Sequence, residues 1–241
     1  MKIFAKVTYK GTNYQGWQRQ TNAPTVQEEI EKVLSKILND NVVIYGSGRT
    51  DGGVHARGQT FHFEVKKEID INRLRYSVNC LLPNDIHINS MEVINDDFHA
   101  RFSATGKHYS YTILVGENNP LNNEFVYTYP KELNTEKLEQ ALVCFNGEHN
   151  FQDFTSKEED EAGFKRKVNI ELKANDNIVT IDFYGNGFMK YMIRFIVGAA
   201  IAVAEGRETV DFIKNHLDSE TRQIITYKAP SEGLVLEEVM Y

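Results

Sequence analysis

The sequence predicts an α+β fold built as two similar halves with largely antiparallel sheets. Three observations predict it. Stretches that alternate apolar and polar residues interleave with stretches of helical spacing. Several strand-like stretches follow one another through short turns, which favours antiparallel pairing. The order β-α-β-β-α is legible twice along the 241 residues.

The elements follow in order. In KIFAKVTY, Ile3, Ala5, Val7 and Tyr9 alternate with Lys2, Lys6 and Thr8, a half-buried strand with Phe4 on its polar side. A loop, KGTNYQGWQRQTNAP, follows. In TVQEEIEKVLSKIL, Val26, Ile30, Val33, Leu34 and Ile37 recur at helical spacing, and Thr25 with Glu28 forms a capping box. VVIYG reads as a short strand, QTFHFEV as another with Phe61, Phe63 and Val65 on one face, and DINRLRYSVNCLL as a second helix. The second half repeats this loosely. KHYSYTILV is a strand and TEKLEQALVCF a helix through Leu138, Ala141, Leu142 and Phe145. KVNIELKAND and NIVTIDFYG form a hairpin turning near residues 175–177. GFMKYMIRFIVGAAIAVAEG reads as a long apolar helix ending before Gly206, and the tail APSEGLVLEEVMY holds a last strand. The halves, 1–104 and 105–241, read as ferredoxin-like (RRM-like) α/β units with a boundary near 103–107 and no low-complexity linker. They are expected to share one extended sheet around a central cleft.

Composition narrows the function. A formal net charge of −7 argues against coating nucleic acid by bulk charge and leaves room for a local basic groove. Cys80 and Cys144 are the only cysteines, in no metal-ligand or redox spacing, and two reduced thiols suit the cytoplasm. The seven histidines show no zinc spacing. The start MKIFAKVTYK lacks the apolar core of a secretory signal, and FIVGAAIAVA at 195–204 is too short to span a bilayer, so no membrane association is expected.

GSGRTDGGVHARG at 46–58 holds five of the chain's sixteen glycines around Arg49, Asp51 and His55. It joins two strands and exceeds a minimal hairpin loop, and long loops inside compact domains tend to be functional. Read from composition alone, it serves equally as a glycine-rich turn with Asp51 as turn former. It is not a P-loop, because no Gly-Lys-Ser/Thr follows, and not a dinucleotide fingerprint, because a strand follows it.

GRTDGGVHA at 48–56 closely resembles the signature of the TruA family of tRNA pseudouridine synthases. YKGTNYQGWQRQ at 9–20, FHARFSATGKHYSY at 98–111, FNGEHNFQDFTS at 145–156, GNGFMKYMIRFIVG at 185–198 and APSEGLVLEEVMY at 229–241 resemble further blocks of that family, in order. The resemblance implies an isomerase that detaches uracil from its ribose and rejoins it through C5, at tRNA positions 38, 39 and 40, without cofactor or catalytic metal. It implies a homodimer holding the tRNA anticodon arm. Gly52, where the family more often carries Ala or a larger residue, and Asn150, where it often carries Asp, are departures.

The chemistry accounts for the residue types. Isomerisation without hydrolysis needs a group that acts on the nucleotide and then releases it, and a carboxylate can be nucleophile or base. Asp51 matches the family's essential aspartate, with both roles open. Arg194 matches the arginine that pairs with it, and a charge inside an apolar helix independently calls for a partner. A base within a stem must be flipped out before reaction. The resemblance gives Arg49 the task of holding that flipped state, Tyr109 the task of stacking on the uracil, and Leu234 or Leu236 the pocket wall. His55 and His149 are expected to serve as structural hydrogen-bonding groups. Candidate RNA contacts are Arg19, Arg57, Arg73, Arg75, Arg101, Lys107 and Lys165–Lys167, with Tyr14 and Trp17 beside Arg19. The acidic run KEEDEAG at 157–163 is expected to face away from RNA. A catalytically silent tRNA-binding module is the alternative reading, and an aspartate-dependent hydrolase is a third that lacks an evident second carboxylate.

Overall fold

The computed structural model describes residues 1–120, 123–158 and 163–241. Most of the acidic run at 157–163 lies outside the described residues. The chain divides into two compact units, Met1–Thr105 with Val235–Tyr241, and Gly106–Leu234. The last strand, which the sequence reading groups with the second half, therefore belongs to the first unit.

In the first unit β1 (Lys2–Tyr9) lies between β3 (His55–Glu64) and β4 (Ile86–Ile94), antiparallel to both. Its predicted inward row, Ile3, Ala5, Val7 and Tyr9, is buried. It meets Phe61 and Phe63 across the ladder, with Ala5 opposite Phe61 and Ile3 opposite Phe63. Helix α1 (Val26–Leu38) buries Val26, Ile30, Val33 and Leu34, as its spacing requires. The Thr25 side chain accepts from the Glu28 N–H at 3.4 Å, the predicted cap. Helix α2 (Ile71–Leu81) is capped by Asp70 and buries only Leu74 and Val78. Phe4, out of place on the polar side of β1, packs edge-on against Phe98 and Tyr241, which cover that face. The outer edge of β3 is divided. The short β2 (Tyr45–Gly46) pairs antiparallel at Phe61 and His62, and β10 (Leu234–Met240) pairs parallel at His55 and Ala56. The order β4-β1-β3 with β2 outside is the ferredoxin-like arrangement.

The second unit runs β5 (Gly106–Val115), β6 (Tyr127–Tyr129), α3 (Thr135–Val143), β7 (Gly147–Asn150), β8 (Lys165–Asn175), β9 (Ile178–Gly185), α4 (Met192–Ala204) and α5 (Val210–Leu217). Its sheet order is β5-β9-β8-β7, antiparallel throughout, with β6 parallel to the end of β5. The predicted hairpin turns through Asp176 and Asn177, and Asp176 adopts φ 51°. In α4 every residue but Arg194 is buried, so this helix is the core of its unit.

Several boundaries differ from the sequence reading. The VVIYG strand shrinks to Tyr45–Gly46. Strand β3 starts at His55, so the last four residues of the glycine-rich segment are strand rather than loop. Helix α4 starts at Met192, five residues later than its apolar run suggests, because Tyr191 turns left-handed at φ 62°. Strands β4, β6 and β7 and helix α5 carry no clear sequence signal.

Candidate active site

The loop at 47–54 carries Arg49 and Asp51, and it is held from three directions. The Ser47 N–H donates to the Thr60 carbonyl at 2.9 Å, the Ser47 hydroxyl bonds Gln59 Oε1 at 2.7 Å, and Gln59 Nε2 donates to the Gly48 carbonyl at 3.2 Å. Buried Thr50 is fixed twice. Its carbonyl accepts from the Trp17 N–H at 3.2 Å, and its hydroxyl meets the Tyr9 hydroxyl at 2.8 Å. Burial holds the Tyr9 phenol well above its ordinary pKa, with hydrogen bonds from Thr50 and Gln59 opposing, so that bond joins two neutral hydroxyls across the physiological range. The Gly53 N–H donates to the Tyr14 carbonyl and the Val54 N–H to the Asp51 carbonyl, each at 3.2 Å. With Thr50 anchored inward, Arg49 is exposed and Asp51 half-buried on either side of it. A carboxylate and a guanidinium two residues apart are thus presented by a preorganised backbone.

The glycines serve this loop differently from expectation. Of the five in 46–58, only Gly53 has a left-handed backbone, at φ 78°. Close approach explains more. A Cβ on Gly58 would stand 2.2 Å from the Glu237 carbonyl of β10, and one on Gly11 would stand 2.0 Å from the Val54 carbonyl. Gly11, in the 10–25 loop, therefore lies flat against the motif, and its N–H donates to His55 Nδ1 at 3.1 Å. His55 is 2% exposed, in the structural role expected of it. His149 has a similar one, donating from Nε2 to the Asn146 carbonyl at 2.9 Å.

The second unit carries Tyr109, Arg194 and Leu234. Tyr109 is a buried residue of β5 whose ring meets Phe188 edge-on at 5.3 Å. Arg194 is half-buried in α4. Its Nε donates to the Ala229 carbonyl at 2.7 Å, the Ala229 N–H donates back to the Arg194 carbonyl at 2.9 Å, and its guanidinium lies over the Tyr191 ring at 5.3 Å. Leu234 is buried at the start of β10. Leu236, two residues on, pairs with Ala56 next to the motif's histidine. The motif loop brings Arg49 and Asp51 together, whereas Tyr109, Arg194 and Leu234 belong to the other unit.

Some expected RNA contacts are corrected. Trp17 is 1% exposed and packs against Tyr9 and Phe61 at 5.9 and 6.1 Å, and Tyr14 is 6% exposed with its hydroxyl on Asp85 at 2.6 Å. Both are structural. Arg19 is paired with the buried carboxylate of Glu31 at 2.8 Å, and Arg57 with Glu237 at 2.7 Å. The residues that sequence reasoning missed are the supports of the loop, namely Gly11, Tyr9 and Gln59. Only the glycine spacing of the 9–20 block hinted at them. Among the described residues no group of three or more His, Cys, Asp or Glu could hold a metal, and no helix is long and apolar enough to cross a membrane.

A half-exposed aspartate on a pinned glycine-rich loop, with an arginine two residues away, suits chemistry on a nucleotide rather than a stored structural charge. The family model described as tRNA pseudouridine synthase matches residues 5–103 and 141–241, and the chain belongs to that family of isomerases. Particular relatives make the likeness narrower. The chain is 35% identical to tRNA pseudouridine synthase A of Clostridium kluyveri, over 98% of this chain and 97% of the relative. It is likewise 35% identical to tRNA pseudouridine synthase A 1 of Protochlamydia amoebophila, over 98% and 94%, and to tRNA pseudouridine synthase A of Staphylococcus aureus, over 99% and 91%.

Proposed function

We propose that the chain isomerises uridine to pseudouridine at positions 38, 39 and 40 of the tRNA anticodon arm. The observation that carries the reading is the Asp51 loop, anchored through Thr50, Gln59 and Gly11, in a chain that matches tRNA pseudouridine synthases over nearly its full length. In the reaction the bond from C1′ to N1 breaks, a bond from C1′ to C5 forms, and the C5 proton leaves as N1 gains one. The Asp51 carboxylate acts on the nucleotide as nucleophile or base and is released at the end. Arg194 supplies the counter-charge that keeps a carboxylate ionised away from water. Arg49 holds the nucleotide out of its stem, which costs a few kcal/mol of unstacking. Tyr109 stacks on the extruded uracil, a contact worth about 1–3 kcal/mol. Leu234 walls the pocket. The reading takes no cofactor and no catalytic metal, and it places the enzyme in the cytoplasm as a homodimer.

The test is incubation with an unmodified tRNA transcript bearing uridines at 38 to 40, with chelator and no cofactor, and pseudouridine mapped by carbodiimide labelling. Wild type converts these positions and Asp51→Asn does not. Binding without conversion across several tRNAs would instead favour the silent module, which the family match disfavours. Size-exclusion chromatography with light scattering checks the dimer.

A further inference from the structure

The turn before α4 carries a cluster that the reading above leaves unused. Tyr191 sits at the helix N-cap with φ 62° and ψ 4° and makes no side-chain cap bond. A left-handed tyrosine is uncommon, and such strain persists where surrounding structure enforces it, often at binding sites. Three cations surround its ring. Lys228 Nζ lies 4.6 Å from the centroid, Lys190 Nζ 5.1 Å and the Arg194 guanidinium 5.3 Å. Both lysines are exposed, and neither takes part in an ion pair among the described residues.

Their backbones are fixed. The Lys190 carbonyl accepts from the Thr155 hydroxyl at 3.0 Å and from the Ser156 N–H. The 227–229 segment lies flat on α4, where a Cβ on Gly198 would stand 2.7 Å from the Tyr227 carbonyl, and Ala229 bonds Arg194 in both directions. Three like charges around one neutral ring repel one another, and each cation–π contact returns only about 0.5–1 kcal/mol at an exposed position. The first turn of α4 adds the positive end of its dipole. Glu232 acts with Arg194 on the Tyr111 phenol and is the acidic group of that neighbourhood, itself exposed. The arrangement is thus a fixed, positively charged notch without a paired anion on its two lysines.

We infer that Lys190, Tyr191 and Lys228 bind a phosphodiester of the RNA substrate, in the nucleotides adjoining the reacting uridine. The inference rests on the proposed function. Two ammonium groups supply charge-assisted bonds to phosphate oxygens. The Tyr191 ring holds them apart and offers a face to a neighbouring unpaired base. Arg194, shared with the proposed active site, ties the notch to the reacting nucleotide.

The experiment measures binding of unmodified tRNA by wild type, Lys190→Ala/Lys228→Ala and Tyr191→Ala over a range of KCl concentrations, with steady-state conversion alongside. The double variant is expected to reduce the slope of log Kobs against log salt by about 1.4–1.8, the loss of two phosphate contacts. Its KM rises at least tenfold, by more than kcat falls. Tyr191→Ala raises KM with a slope nearer wild type. An unchanged slope in the double variant, with wild type converting the transcript normally, overturns this inference alone. Failure of wild type to convert any tRNA overturns the proposed function, and this inference with it. Melting curves of all variants report folding, and the exposed lysines are expected to leave them unchanged.

Discussion

Gly11→Ala is the sharpest single-atom probe of the site, because it adds one methyl far from any reacting group. The new Cβ would stand 2.0 Å from the Val54 carbonyl oxygen, 2.6 Å from its carbon and 3.0 Å from the Gly53 carbonyl carbon. All three neighbours are backbone atoms, so no rotamer change relieves the clash. The two segments must separate by about 1 Å, which strains the bond from the Gly11 N–H to His55 and shifts the turn carrying Asp51. A displacement of about 1 Å at a catalytic group costs on the order of 100-fold in rate, or about 2.7 kcal/mol. The assay is single-turnover pseudouridine formation with enzyme in excess, and tRNA affinity is measured separately. Conversion is expected to fall about 100-fold while affinity changes less than about threefold. Gly52→Ala is the matched control. Its Cβ meets Gln15 only at 3.4 Å or more, an ordinary contact, and it should react within about threefold of wild type. Full activity in Gly11→Ala, with a wild-type melting temperature, would refute the claim that this approach positions Asp51.

Three further predictions concern stability. His62 is 3% exposed, and its pKa is lowered to about 4, first by burial and then by His99 and Lys2. The unfolded chain protonates this ring below about 6.5 while the folded one keeps it neutral, so stability is full above that pH and declines as pH falls towards 4. Allowing for solvent screening, the decline amounts to about 1–3 kcal/mol, with His99 adding in the same direction; melting at pH 7 and pH 5 should show it, and an undiminished difference in His62→Gln would assign it elsewhere. Glu31 is 5% exposed and accepts from Gln27, from the Ile44 N–H at 3.0 Å and from Arg19, so Glu31→Ala leaves buried donors unsatisfied and should cost about 3 kcal/mol, lowering Tm by about 6–12 °C in calorimetry. Asp153→Ala removes an acceptor with no solvent exposure that bonds His216 Nδ1 at 2.6 Å and the Gln223 N–H at 2.7 Å, and a loss of similar size is expected, whereas a Tm within about 2 °C of wild type would show that the 219–225 segment needs no such anchor.

What the sequence made legible was periodic. Alternation placed β1, β5, β8 and β9, and the apolar spacing placed α1 and α3, because one face of each is buried along its whole length. The start of α4 was hidden because Phe188 and Met189 continue the apolar run upstream of the turn at Tyr191. Strand β4 was hidden because only Ile86 and Ile88 are buried, too few to mark a period. Trp17 misled for a related reason. A loop has no period, and its burial comes from Tyr9 and Phe61, which a linear reading does not bring to it. The residue types of the motif were plain, yet its supports are not local. Tyr9 reaches Thr50 across 41 positions and Gly11 reaches His55 across 44, and no spacing rule announces such pairs.

The charge pattern bears on how such a protein holds RNA. At a net charge of −7 its long-range field does not draw polyanions in, so affinity must come from short-range contacts. Two of the arginines that sequence reasoning would spend on RNA are already committed, Arg19 to Glu31 and Arg57 to Glu237. Exposed pairs of this kind contribute at most about 1 kcal/mol to stability, but each removes a cation from the pool open to phosphate. The cations at Lys190 and Lys228 gain importance from that depletion. A protein with few available phosphate contacts has a shallow salt dependence, so deleting two of them changes a large fraction of the slope rather than a margin of it. The same deletion on a strongly basic RNA-binding protein would be lost in the background. Low overall charge therefore makes the notch around Tyr191 measurable, and the salt titration a more discriminating assay than the affinity at any single salt concentration.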